Sequence, residues 1–396
     1  MAGQAAERAC SHKTLRVRGR HYATGQMVDV VCTGETVCSV EAPCGRPDVA
    51  GAWVAPALWD VQINGACGHD FSMPGLTPDK VESVIRYAYR HGVARFLATV
   101  ITGPPETTEA SLQCLARCVQ MGRQWGQSLL GIHLEGPWIS AEDGPRGAHC
   151  ARYVRPPSWD EFQHLQDCAS GLIRMVTLAP ELPGGLEFIE KLHQAGIVVA
   201  LGHTAASSAC IAAACRAGAR LSTHLGNGCH ALLPRHDNYF LAQLACDDLW
   251  ASIITDGHHL PPALIRIMVR VKGPERLLIT SDASGLAGCP PGTYRHWGTE
   301  VEVRANGQVV LSGTPYLAGS SVLTDACVWH LASLGEVTLT RALDMASQQP
   351  ARLLGLPEPG LYAGAPGDLI LYECSPEDGL RVVATVVGGE ITWRVT

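Results

Sequence analysis

The chain has 396 residues, of which 46% are hydrophobic, 17% charged and 6% aromatic, enough to bury a large core and to form one big domain beside a smaller one. A net charge of −7 excludes the sequence-wide basic footprint that nucleic acid or an anionic membrane selects, so an anionic substrate would need a local positive pocket. The opening residues lack the apolar core of an export signal, no run of 18 apolar residues occurs, and the 16 cysteines are scattered without a CxxC pair, so a cytoplasmic protein with reduced thiols and no membrane partner is expected.

Residues 13 to 52 (TLRVRG, MVDVVC, TVCSV) read as short strands separated by glycine turns. A different texture follows. WVAPALWDVQING (53 to 65) leads to a helical stretch near 78 to 91, then RFLATVI (95 to 101), a helix near 107 to 121, and LLGIHLE (129 to 135). LIRMVTLAP (172 to 180), IVVALGH (197 to 203), RLSTHL (220 to 225), ASIITDG (251 to 257) and LLITSDA (277 to 283) complete the series. Eight continuously apolar runs separated by helix-length segments predict parallel strands covered by helices, an α/β chain folded as a (β/α)₈ TIM barrel over residues 53 to 358. A Gly- and Pro-rich insertion with a hairpin is expected at 284 to 316. The last strands (GDLILYE, LRVVATVVGGEITWRV) match the texture of the first. Segments 1 to 52 and 359 to 396 are therefore expected to meet in one small β-sandwich domain.

In such barrels chemistry sits at the carboxyl ends of the strands. Those ends carry Asp60, Gln62 and Asn64 on the first strand, Glu135 on the third, His203 on the fifth, His224 on the sixth, Asp256 on the seventh and Asp282 on the eighth. A carboxylate at the end of a buried strand is costly unless a cation meets it. One Glu and two His make a ligand set for zinc or a similar divalent ion with a position left open for water, so Glu135, His203 and His224 are candidate metal ligands. A bound metal lowers the pKa of water from about 15.7 to about 7. Asp282 is then the natural general base, able to pass the proton to a leaving amine, as amide hydrolysis requires. His133, close to Glu135 in sequence, is expected on the opposite face of its strand in a structural role.

The motifs DVQING (60 to 65), HLEGPWIS (133 to 140), RGAH (146 to 149), TLAPE (177 to 181), LGHT (201 to 204), THLGN (223 to 227), DGHH (256 to 259), SDA (281 to 283) and LAGSSV (317 to 322) run through nearly the whole chain. In this order they resemble the amidohydrolase superfamily, and within it the N-acetylglucosamine-6-phosphate deacetylases. The resemblance implies one divalent ion per subunit on Glu135, His203 and His224, zinc first, with iron or cobalt acceptable to the same ligands. It implies Asp282 as acid and base, and His149 as the group that polarises the acetamide carbonyl. Substrate contacts carried over with it are Ala148, His149, Asn227, Gly228, His259, Leu317, Ala318 and Gly319. Arg235 falls where the family has an arginine that reaches the sugar phosphate across a homodimer interface. Gln62 and Asn64 stand where other amidohydrolases have His-x-His, and neutral amides are poor ligands, so they mark a vestigial second-metal position.

The chain departs from the family pattern at NGCH (227 to 230) and PRHDNY (234 to 239), where Asn-Ala-Met and Gly-Arg-Glu-Pro-Gly are usual. The implied substrate is an N-acetylated amino sugar, phosphorylated in the leading reading; an unphosphorylated sugar or another N-acetyl compound is the alternative. His230, His236 and His258 are additional imidazoles that could rebuild an anion pocket. Other amidohydrolase reactions often use a lysine-bridged binuclear site, and no lysine lies in the strand-end motifs.

Overall fold

The computed structural model describes residues 13–122, 126–314 and 316–395. Its centre is an eight-stranded parallel sheet whose strands lie side by side in chain order: Leu58–Ile63, Val93–Ile101, Leu129–Glu135, Ile173–Leu178, Val198–Leu201, Leu221–Ser222, Trp250–Ile253 and Leu277–Ile279. Beyond the eighth strand the sheet closes on the first through a parallel bridge between Ile63 and Ala283, with Asn64 N donating to Ala283 O at 2.8 Å. All eight coincide with the apolar runs read from the sequence. Continuous hydrophobicity has a direct cause here, since these strands are covered on both faces; every residue of the first and third is buried.

Helices take the outer layer because each has one apolar stripe. Pro78–Arg90 buries Val81, Val84, Ile85, Ala88 and Tyr89, a spacing of three and four residues that lines up one face. Ser158, Ser207, Asn238 and Thr338 each open a helix by accepting a backbone N–H of the first turn.

The two ends of the chain meet in a second sheet of seven strands. Its order is Glu390–Arg394, Gly379–Val387, Leu369–Ser375, Val49–Pro56, Thr14–His21, Met27–Thr33 and Thr36–Glu41, so one hydrogen-bonded surface joins the N- and C-terminal segments over a core that includes Val17, Val30, Val54, Leu369 and Val386. The run from residue 53 is divided between two sheets. Trp53–Pro56 pair with Leu369–Tyr372, and the barrel strand starts at Leu58, so the expected boundary at 52/53 falls inside a strand of the small sheet. The insertion after the eighth barrel strand is a three-stranded antiparallel sheet, Gly292–His296, Thr299–Val303 and Val309–Leu311, one strand more than a hairpin. Among the described residues no helix is long and apolar enough to cross a membrane, and the fifteen described cysteines are all free.

One ion pair joins barrel to small sheet. Arg95, at the start of the second barrel strand, donates through Nε and Nη2 to the fully buried carboxylate of Asp368, which also accepts Gly388 N at 2.9 Å. Arg95 stacks over Trp59 at 5.6 Å, so its cation is enclosed from two sides. Asp368→Ala leaves that guanidinium without its counter-charge and should cost up to about 3 kcal/mol, since Arg95 keeps some solvent contact. Denaturant unfolding checks this, and a loss under about 0.5 kcal/mol, the scale of a neutral surface change, would show that the pair does not hold the sheets together.

Candidate active site

Glu135, the last residue of the third barrel strand, is buried, and its Oε1 faces His203 Nε2 at 3.2 Å and His224 Nε2 at 3.1 Å. The two imidazole nitrogens are 3.1 Å from each other. His203 Nδ1 donates to Pro145 O at 2.8 Å, which leaves a lone pair on its Nε2, pointed at Glu135 and His224. Three donor atoms at mutual separations of 3.1–3.2 Å match the ligand edges of about 3.3 Å in a tetrahedral site with metal–nitrogen and metal–oxygen bonds of about 2.0–2.1 Å. The residues fit a divalent ion. Glu135, His149 and His203 likewise offer ligand atoms within 4.8 Å of one another, but His149 Nε2 stands off at 3.9 Å from Glu135 Oε2, outside that tight triangle.

Electrostatics at this point are governed by burial and one negative charge. Burial alone would raise the pKa of Glu135, yet His203 and His224, each able to donate from Nε2 when that nitrogen carries a proton, outweigh it and hold the carboxyl well below its ordinary range. Burial opposes protonation of His224, and Glu135 beside it more than compensates, lifting the pKa. His149, buried and near His203, is pushed down to about 3 and is neutral; its Nδ1 meets the Thr102 hydroxyl at 2.9 Å. Asp282 is pushed up to about 6 by burial and by the charge of Glu135, while Asn64 Nδ2, donating at 2.8 Å, favours the charged form.

Backbone geometry adds a feature that residue types do not reveal. His203, His224 and Asp282 adopt φ of 51°, 30° and 48°, the left-handed region that costs non-glycine residues free energy. Each strand bends abruptly there to aim its side chain into the mouth. Gly136, with φ of 74°, leaves no room for a side chain, because a Cβ would lie 2.2 Å from Thr102 Oγ1. Gly228 is restricted in the same way: a Cβ would come within 2.9 Å of His203 Nδ1.

The mouth opens into a cavity of 610 Å³. Of the expected substrate contacts, Ala148, His149, Asn227, Gly228, His259, Leu317 and Gly319 line it. Ala318 is buried instead against Val301, Val303 and Val309 of the insertion. Arg235 is exposed in the loop after the sixth strand and does not line the cavity within this chain. Gln62 Nε2 donates to Glu135 Oε1 at 3.0 Å, so Gln62 and Asn64 serve the two carboxylates as hydrogen-bond donors.

Two strand-end residues turn inward. Asp60 is fully buried and accepts the hydroxyls of Thr280, Ser281 and Thr324 and the amides of Gln62 and Ser281. It ties the first strand to the eighth. His133 is corrected: side chains repeat every two residues along a strand, so it shares the face of Glu135. It sits one layer deeper in the barrel, 2.7 Å from Thr177 Oγ1, and burial pushes it down to about 4. Sequence reasoning missed Arg146, Trp297 and Tyr316 as cavity walls. Arg146 lay inside the RGAH motif as a visible signal; the two aromatics arrive on the insertion and carried none.

A parallel barrel with this Glu, His, His and Asp set at its carboxyl rim defines a hydrolase of the amidohydrolase class. No protein-family model matches the chain. The human N-acetylglucosamine-6-phosphate deacetylase is 38% identical over 365 residues, covering 88% of this chain and 85% of that protein. An N-acetylgalactosamine-6-phosphate deacetylase of Escherichia coli O157:H7 is 35% identical over 303 residues, 76% of this chain and 78% of that one. Among solved structures, a variant N-acetyl-D-glucosamine-6-phosphate deacetylase of Mycobacterium smegmatis in complex with N-acetyl-D-glucosamine-6-phosphate superposes with a TM-score of 0.86 at 31% identity, covering 96% of this chain and 99% of that one. The chain belongs to the N-acetylglucosamine-6-phosphate deacetylase family.

The raised pKa of Asp282 sets a pH dependence. A carboxylate that serves as base must be ionised, so if Asp282 has that role hydrolysis should fall as pH drops through its pKa, at about 6 or below once a cation draws it down. Asn64→Ala removes a bond that favours the carboxylate and should move the acidic limb of the kcat/KM profile to higher pH. An unmoved limb would show that Asn64 does not act on Asp282.

Proposed function

We propose that the chain hydrolyses the acetamide of N-acetylglucosamine-6-phosphate, releasing acetate and glucosamine-6-phosphate, with one divalent ion held by Glu135, His203 and His224. The observation that carries this reading is the tight triangle of those three donor atoms beside a perturbed Asp282. The ion, zinc first by ligand type, would supply an acidified water and a positive field at the acyl centre.

Asp282 takes a proton from the attacking water and later gives it to the departing amine, so that one carboxylate serves as base and then acid. Burial and the charge of Glu135 raise its pKa and make it a readier proton carrier than a free carboxylate, while a cation beside it would pull the value back. His149 acts as a neutral donor: its Nδ1 lies 2.9 Å from the Thr102 hydroxyl, and the tautomer protonated on Nε2 would offer that proton to the carbonyl oxygen as it gains charge. A neutral donor avoids placing a second cation beside the ion. Asp256 accepts from His259 Nδ1 at 2.7 Å and so orients a cavity-wall imidazole towards the sugar.

For the phosphate end, Arg146 and His230 line the cavity. Arg235 enters the reading from a second copy of the chain. It is exposed in a loop that also displays Leu232 at 90% exposure, a combination suited to contact with a partner and to paired hydrogen bonds on phosphate. The proposed state is therefore a homodimer, working in the cytoplasm. The galactosamine epimer is the second reading, favoured by the Escherichia coli O157:H7 relative.

Amine release from N-acetylglucosamine-6-phosphate, its galactosamine epimer and unphosphorylated N-acetylglucosamine, each with and without chelator, tests the substrate. The phosphorylated glucosamine should be preferred by at least tenfold and chelator should abolish turnover; equal rates with and without phosphate would remove the substrate assignment. Asp282→Asn should lower kcat by about 10²–10⁴-fold, the span of general acid–base catalysis, with metal content kept. Retained turnover would defeat its role. Arg235→Ala should raise KM for the phosphorylated sugar while leaving KM for the unphosphorylated one in place, and equal effects on both would remove Arg235 from the phosphate site.

A further inference from the structure

On the outer layer, helix Trp159–Cys168 packs beside helix Pro105–Gln120, and three side chains of different chemistry converge between them. His164 and Cys168 are one turn apart on the first helix and therefore share a face; Glu109 comes from the second. His164 Nε2 is 3.1 Å from Glu109 Oε1 and 3.8 Å from Cys168 Sγ, and one ligand atom from each residue lies within 4.8 Å of the other two. With metal–sulfur bonds of about 2.3 Å and metal–nitrogen or metal–oxygen bonds of about 2.0–2.1 Å, tetrahedral geometry sets nitrogen–sulfur edges near 3.6 Å and nitrogen–oxygen edges near 3.3 Å. The observed separations straddle those values. A His–Glu ion pair would account for two of the residues; it gives no reason for a thiol to face the same point. None of the three residues lines the barrel mouth, and the cluster is half-exposed, so an ion can reach it.

We propose that Glu109, His164 and Cys168 form a second site, for a thiophilic divalent cation such as zinc, with water completing the coordination. Thiolate and imidazole select zinc, cobalt or cadmium over magnesium or calcium. The ion would clip the two helices together beside a 140 Å³ cavity whose walls include Glu109, His164, Pro137 and Thr102.

Cobalt(II) titration of the metal-free full chain provides the test. The barrel ligands contain no sulfur, so a thiolate-to-cobalt charge-transfer band separates a cysteine site from the barrel site, and its loss in Cys168→Ser assigns it to this cluster among the free thiols. Two equivalents should bind, with that band present. Cys168→Ser should lose the band and one equivalent while deacetylation is unchanged, and His164→Ala should weaken the outer site at least tenfold. His203→Ala should lose the other equivalent and keep the band, which separates failure of this site from failure of the barrel site. Absence of the band in the unaltered chain, or its persistence in Cys168→Ser, overturns the proposal.

Discussion

A negative charge enclosed at the end of a buried strand is the constraint around which this molecule is arranged. Among the described residues no arginine or lysine pairs with Glu135; what it has is two imidazoles at 3.1–3.2 Å. Those imidazoles face each other at the same distance, and one of them has its second nitrogen committed to a backbone carbonyl. Protons alone balance such a cluster poorly, because charging both rings places two cations 3.1 Å apart in a site of low dielectric. One shared divalent cation satisfies all three donors. Burial, which makes the charge expensive, is also what makes the bound ion and its field effective.

Holding that triangle demands precision from three strands that are far apart along the chain. Strained left-handed residues at positions 203, 224 and 282 set the direction of each side chain, and strain persists only where the surroundings over-determine it. Two devices supply that determination. Asp60 gathers three hydroxyls and two amides and so closes the barrel beside Asp282. Gly136 and Gly228 allow Thr102 and His203 to approach backbone that any side chain would displace. The polar layer beneath, His133 with Thr177 and Thr223, fills the interior with mutual hydrogen bonds, Thr177 and Thr223 being 2.7 Å apart, and leaves the rim groups free for chemistry.

Much of this was legible in the sequence because burial on both faces writes itself as continuous hydrophobicity. All eight barrel strands were visible for that reason, and the four central rim residues followed from their positions at strand ends. What was hidden depended on three-dimensional closure. The division of residues 53 to 63 between two sheets could not be seen, since Trp53–Pro56 and Leu58–Ile63 follow one another almost without a break and what separates them is their partners. Asp60 looked like a rim group because nothing local announces that Thr280, Ser281 and Thr324 bond to it. The placement of His133 was a different kind of miss, an error of parity that the two-residue repeat of a strand already contradicts.

The departures from the family pattern begin beside the partners of Glu135 and run outward from them. In NGCH the departure begins at Gly228 itself, where the family pattern has alanine: with the His203 ring placed as it is here, a Cβ would come within 2.9 Å of its Nδ1. Two residues further on, His230 is bound by local groups only, Tyr239 Oη on one ring nitrogen and Glu142 on the other, and it reaches the cavity wall. Beyond it, residues 234 to 237 are exposed. The departures therefore change character along the segment: beside His203 a side chain is given up, at position 230 an imidazole is anchored by neighbours of its own, and residues 234 to 237, Arg235 among them, lie exposed. A fold that concentrates its strain and its buried charge at one rim can alter how the far end of a substrate is held without disturbing the geometry that cleaves it.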